Sequence, residues 1–334
     1  MTDLHDPTPQ LVREVGAEAA LQPVGPLGVE PLAAPLQRPG RLVVRHFARQ
    51  RLAVASLLTL AIVSAVALVG GRVWHYHYAD ITPEFSTPPS AAHPMGTDSI
   101  GHDELAQVLR GAQKSLQVGL LAAAVSTAVG SAIGATAGYY RGGIDAVLMR
   151  VTDAVLTVPG IAILIVMAGR FRASAGNWLA IALIIAALSW TGIARIVRGM
   201  VLSLREQGFV EAARAVGAGD RRIIFRHLLP HAIGPIIVKA TFAVGGAIFA
   251  ETGLSYLGLG ISSPDTSLGS LVASGQSAVT TRPWLFWFPG LFIVVIVLSL
   301  SLVGDALRDA LAPAQHLRPA RRRRRLARGA TPSR

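Results

Sequence analysis

Few side chains in this 334-residue sequence could do chemistry, and their spacing excludes most of it. There is no cysteine, so neither a thiolate nucleophile nor a Cys-ligated metal can form. Only two lysines occur, Lys114 and Lys239, and neither follows a glycine. A phosphate-cradling Gly-x-x-x-x-Gly-Lys-Ser/Thr loop is therefore absent. His75 and His77 flank Tyr76 without a third ligand nearby, which favours an interfacial role over a metal site. No catalytic, cofactor-binding or metal-binding set emerges. What remains are three charges within apolar sequence, and such charges are functional by default. Asp153 stands three residues after Arg150, a spacing for an ion pair on one helix face. Lys239 and Glu251 are twelve residues apart, about 18 Å along a helix, too far to pair. Lys239 is expected to snorkel to the nearer interface, while Glu251 either lines a translocation path or bonds an adjacent helix.

The elements that must hold these charges are membrane spans. Hydrophobic residues make up 51% of the chain and charged residues 15%, against about 25% in soluble domains; mean hydropathy is +0.49. Six stretches are long and apolar enough to cross the hydrocarbon core as helices: 52–71, 115–140, 151–169, 173–194, 233–261 and 283–304. None shows the period-two alternation of a β-barrel strand. The formal net charge of +12 is unevenly distributed. An even number of crossings puts both termini on one side, which with 141–150 and 195–226 holds 24 of the 31 Lys and Arg residues. By the positive-inside rule both termini are cytoplasmic. Aromatics at span ends, among them Tyr139, Trp178 and Trp284, fit interfacial anchoring. Gly130, Gly134 and Gly138 recur every four residues in the second span, a small face for close helix packing. Residues 1–40 hold seven prolines without periodicity and read as a disordered cytoplasmic tail. Residues 311–334 form a basic cytoplasmic tail whose five arginines at 321–325 suit anionic lipid better than nucleic acid.

Between the fourth and fifth spans, residues 199–230 make a long connection that should carry structure of its own. Phe209, Ala212, Ala213 and Val216 fall at i, i+3, i+4 and i+7 of one helical stripe. Gly217 and Gly219 break that helix, and Asp220 is placed to cap a second short helix running towards Pro230. The two would meet at a glycine corner and form a blunt cytoplasmic knob, where Ala212, Ala213 and Gly217 admit a partner close to the backbone. On periodicity alone, an amphipathic interfacial helix fits equally.

Glu211-Ala212-Ala213, then Gly217, and Leu229-Pro230 at the end resemble the EAA loop of ATP-binding-cassette (ABC) importer permeases. Before the second span, His93-Pro94-Met95-Gly96-Thr97-Asp98, followed by Gly101, Asp103, Leu105, Gly111, Ser115 and Leu116, is similar to a segment of one permease subunit of dipeptide, oligopeptide and nickel importers. Arg150, Asp153 and Pro159, then Glu251, Leu254, Ser255, Gly258, Leu259 and Gly260, extend the similarity over about 93–310. The family usually has arginine where this chain has His102, Gln107 and Gln113, and serine where it has Ala106. The resemblance implies an all-α integral membrane fold of six transmembrane helices, of the type I importer permease (MetI-like) kind. Residues 41–92 would hold the first helix and the start of an outer segment, and 93–310 the permease domain.

The same resemblance implies a non-catalytic subunit in a prokaryotic plasma membrane, paired with a paralogous permease subunit. Two ATPase subunits would bind the ATP and Mg, and an extracytoplasmic substrate-binding protein would deliver cargo. The chain itself would bind no cofactor and no nucleic acid. Glu211 and Arg214 would give polar contacts to the ATPase, and Ala212, Ala213 and Gly217 the close fit, on a knob reaching to Asp220. Di- or oligopeptides are the expected cargo, with nickel or another small solute as the alternative. An ion-driven transporter using Asp153, Lys239 and Glu251 as coupling charges is the competing class.

Overall fold

The computed structural model describes residues 44–45, 47–170 and 177–311. The tail assignments at 1–40 and 312–334, including the arginines at 321–325, lie outside the described residues. Apart from one isolated bridge between Thr97 and Asp103, the regular structure among the described residues is helical. The elements are α1 (Arg51–Val73), α2 (Glu104–Tyr140), α3 (Gly142–Thr157), α4 (Gly160–Arg170), α5 (Trp178–Leu204), α6 (Gly208–Ala215) and α7 (Asp220–Ile223). A π-helical turn (Ile224–Leu228), α8 (Leu229–Tyr256), α9 (Leu268–Gln276) and α10 (Trp284–Leu311) complete the order. Five helical runs are long and apolar enough to span a bilayer, or six when the bent pair α3–α4 counts as one. The corner end of the bundle carries α6 and α7. The opposite end, with 74–103 and α9, is the cap end.

The central strut is α2, packed on α1, α5, α8, α9 and α10. It starts after Asp103, whose carboxylate accepts the Ala106 N–H at 2.8 Å. Its 37 residues reach about 55 Å, so its polar first turns stand clear of the hydrocarbon and the helix begins well before residue 115. Further on, Gly130, Gly134 and Gly138 meet the backbone carbonyls of Trp190, Ala194 and Arg198 on α5. The matched four-residue steps describe two parallel helices in register. A Cβ on Gly130 would stand 2.6 Å from the Trp190 oxygen, and one on Gly138 2.8 Å from that of Arg198, so only glycine permits this approach.

Two elements differ from the sequence expectation. The third span is not a straight helix, since α3 and α4 meet at 85°. Pro159 has no N–H for the helical ladder and drives Val158 to extended backbone (φ −82°, ψ 135°), which ends α3. Nor does the second short helix stop before Pro230. Instead α7 continues through the π turn into α8, as one run from Asp220 to Tyr256. The widened turn lies where the Pro230 ring would otherwise meet the Arg226 carbonyl. After α8, Gly258 (φ +73°) closes the helix, with its N–H on the Ser255 carbonyl at 3.0 Å and the Leu259 N–H on that of Leu254 at 2.8 Å. The short α9 is fixed at the cap end by reciprocal bonds of Ser267 and Ser270 and by burial of Leu268 and Leu271.

Candidate functional site

The corner is built from α6, Gly217 and α7. Val210 and Ala213 of α6 are buried with Ile223, Ile224 and Leu228 against Val197 and Val201 of α5 and Ala135 of α2. Past the end of α6, Gly217 takes φ +78°. Its N–H bonds the Arg214 carbonyl at 2.9 Å and the Ala218 N–H bonds that of Ala213 at 3.0 Å, which closes the helix and turns the chain into α7. The buried pair is therefore Val210 with Ala213, and the stripe through Phe209, Ala212 and Val216 does not hold. Val216 has left the helix and is 84% exposed. Ala213 packs inward, while Glu211, Ala212, Arg214 and Gly217 face out, and nothing lies within 4 Å of a Cβ built on Gly217.

Asp220 does not cap α7, whose cap is Gly219. Its carboxylate instead accepts the Tyr139 hydroxyl at 2.6 Å. Arg214 lies over the same ring, 5.5 Å from its centroid, and Arg205 donates to the Tyr139 carbonyl. Phe209 stacks on His231 of α8, 4.6 Å between centroids. The knob is thus clamped at its base to both α2 and α8. As an aromatic at a span end, Tyr139 gives no sequence signal of this role, because its partner is 81 positions away.

The three intramembrane charges are not brought together. Asp153 pairs with Arg195 at 2.5 Å and not with Arg150, because α3 presents its acids to α5. Asp145 of α3 likewise takes Arg198 in a two-pronged contact at 2.5 and 2.6 Å. Glu251 is fully buried and bonds the adjacent helix, accepting the Ser115 hydroxyl of α2 at 3.2 Å and that of Ser255 at 2.6 Å. Lys239 is exposed. Packing of Gly234 on Leu311 and of Gly304 on Phe242 sets it level with the charged last turns of α10, around Asp305 and Arg308.

At the cap end, the buried His93 places Nδ1 2.7 Å from Asp103, whose other oxygen accepts the Trp74 indole N–H at 3.0 Å. Asp98 accepts the N–H groups of Ile100, Gly101 and His102. These acids fold the motif segment onto the start of α2. The departures from the family pattern serve the same end. The His102 ring bonds Asp98 at 2.8 Å, Gln107 donates to the Tyr78 carbonyl at 2.6 Å, and Gln113 donates to the Ala67 carbonyl of α1. Asp265, which no sequence signal singles out, receives Arg110 at 2.7 and 3.1 Å and Lys114 at 2.8 Å. Partial burial pushes its carboxyl up, but the hydrogen bonds and charges of Arg110 and Lys114 prevail and hold it below the usual carboxylate range. Among the described residues, no three His, Asp or Glu side chains stand close enough to hold a metal ion.

The comparisons with known proteins agree with one another. A family model described as "Binding-protein-dependent transport system inner membrane component" matches residues 130–316. A second, the N-terminal transmembrane domain of oligopeptide transport permease C, matches residues 38–89. The oligopeptide transport system permease protein OppC of Mycobacterium tuberculosis (strain ATCC 25618 / H37Rv) is 43% identical, covering 82% of this chain and 94% of that protein. The dipeptide transport system permease protein DppC of Alkalihalophilus pseudofirmus is 35% identical over 82% and 90% of the two chains. A putative peptide transport system permease protein of Brucella abortus is 36% identical over 94% and 98%. Among solved structures, a chain of the inward-facing MetNI methionine ABC transporter superposes with a TM-score of 0.52 at 19% identity, covering 61% of this chain and 96% of that one. That likeness speaks for the fold, a MetI-like helical bundle. With the membrane helices, the corner and these matches together, the chain belongs to the binding-protein-dependent transport system inner membrane component family, as a permease subunit of an ABC importer.

Proposed function

We propose that this chain is one half of a peptide importer, pairing with a related permease subunit and converting ATPase motion into alternating access. In this reading the corner and both termini face the cytoplasm, and two ATPase subunits carry the ATP and Mg. An extracytoplasmic binding protein delivers di- or oligopeptides to the cap end. The cargo named for the similar proteins, oligopeptides and dipeptides, supports a peptide substrate over nickel. Against an ion-driven device stands the separation of its three charges, with Asp153 on Arg195, Glu251 on two serines, and Lys239 apart from both.

One observation carries the coupling role: the exposed glycine-turned corner is fixed at its base by Tyr139 to Asp220 and by Phe209 on His231. A loose knob would yield to a push, whereas one held in this way passes displacement into α2 and α8. Glu211 and Arg214 would meet the ATPase through polar contacts, Ala212 and Gly217 would leave room for close approach, and Ala213 would support them from within. The test is Ala212→Trp in the reconstituted complex. Because Ala212 is exposed, the variant is expected to insert normally, while uptake of a labelled tripeptide falls about tenfold, roughly 1.4 kcal/mol of lost docking. Unaltered uptake would remove the corner from the coupling path, and uptake of nickel in place of peptide would reassign the cargo.

A further inference from the structure

Between the last turns of α1 and the first turns of α2 lies a cavity of about 270 Å³ that neither the corner nor the Glu251 network uses. Among the described residues, no carboxylate lines it. Arg72, at the end of α1, has neither an ion pair nor a side-chain hydrogen bond among the described residues, and its guanidinium brings five N–H donors to the wall. The hydroxyls of Tyr76 and Tyr78 are likewise unengaged there. Arg110 leans over the Tyr78 ring at 4.7 Å, but its charge is already met by Asp265 outside the lining, so the charge on offer is that of Arg72. Deeper in, the Gln117 Oε1 is buried without a partner, and its amide can turn to offer N–H instead. A cavity that offers guanidinium and hydroxyl donors and no acid is suited to an anion.

Leu68 of α1 and Ala106 of α2 give the cavity its aliphatic wall. From Leu68 the exposed flank of α1 continues through Val69, Val66, Ile62 and Leu58, an apolar strip that a bilayer around α1 would cover. A basic pocket lies at the depth where apolar helix gives way to Arg72 and Trp74, with a lipid-facing strip leading away from it. That arrangement matches a phospholipid better than a free ion. We propose that this cavity holds the phosphate headgroup of an anionic phospholipid, with its acyl chains laid along α1. The proposal needs α1 to lie in the bilayer, and does not depend on the cargo being a peptide.

Native mass spectrometry of the intact transport complex, titrated with phosphatidylglycerol or phosphatidylcholine, tests it. The wild type is expected to retain phosphatidylglycerol preferentially. Arg72→Gln is expected to lower that occupancy about tenfold, for the loss of one charge-assisted contact, and to leave phosphatidylcholine unchanged. Gln117→Glu, which sets a negative charge in the wall while leaving α1 intact, is expected to reduce phosphatidylglycerol in the same way. Equal occupancy in all three proteins overturns the site. Displacement of the lipid by an equal concentration of glycerol 3-phosphate assigns the cavity to a soluble anion and overturns the lipid.

Discussion

Tyr139 joins the corner to α2 in three ways: its hydroxyl goes to Asp220, its ring faces Arg214, and its carbonyl accepts from Arg205. Tyr139→Phe deletes only the first. A hydrogen bond to a charged acceptor contributes about 1.5–3 kcal/mol, less here because Asp220 is exposed. The variant is expected to reach the membrane in normal amounts and to transport several-fold less substrate per ATP hydrolysed, read in proteoliposomes. Wild-type stoichiometry would show that Phe209 on His231 suffices. At this scale the EAA spacing is enough to find the corner, since Glu211, Ala212 and Gly217 all stand on its outer surface. It cannot say which alanine turns inward. Ala212 and Ala213 are the same side chain at neighbouring positions, and only the helix end at Gly217, seen with the core beneath it, assigns Ala213 to the inside.

The spacing of Gly130, Gly134 and Gly138 predicts a tight helix contact, and the structure supplies its partner, α5, running parallel and in register. Gly134→Ala would drive a methyl group into the Ala194 carbonyl and the Val197 side chain, at an overpacking cost of about 1–3 kcal/mol. Gly199→Ala on α5 meets open space and gains helix propensity. Thermal unfolding of the purified complex is expected to fall for the first variant and to hold or rise for the second; equal midpoints would mean the seam has slack. Apolar length locates the spans well because the bilayer imposes one requirement on all of them. It is blind to α9, nine residues that include two serines and two glycines, and to the 85° bend, where a single proline outweighs the apolar run around it. It also assigns Asp153 to the arginine nearest in sequence, whereas helix crossing selects one 42 positions away.

Across the whole molecule, Asp265 ties the start of α2 to the connection between α8 and α9 through Arg110 and Lys114. Its carboxyl titrates below the ordinary range, so this link is fully present above the unfolded-state value and is lost as pH falls through the lower folded-state one. The stability difference between wild type and Asp265→Asn is expected to be constant from about pH 8 to 5 and to shrink only below about pH 4. Measured by unfolding at each pH, a difference that instead vanishes near neutrality would point to another group. During synthesis, α3 leaves the ribosome before α5. Until α5 emerges, Asp145 and Asp153 lack the guanidinium groups that lie 53 and 42 residues further along the chain. The 11-residue α4 measures about 16 Å, half the thickness of the hydrocarbon core. Because α4 alone cannot cross, the third span must include α3, whose two acids find their guanidinium partners only on α5, so α3 to α5 are expected to settle in the bilayer as a single unit of membrane biogenesis.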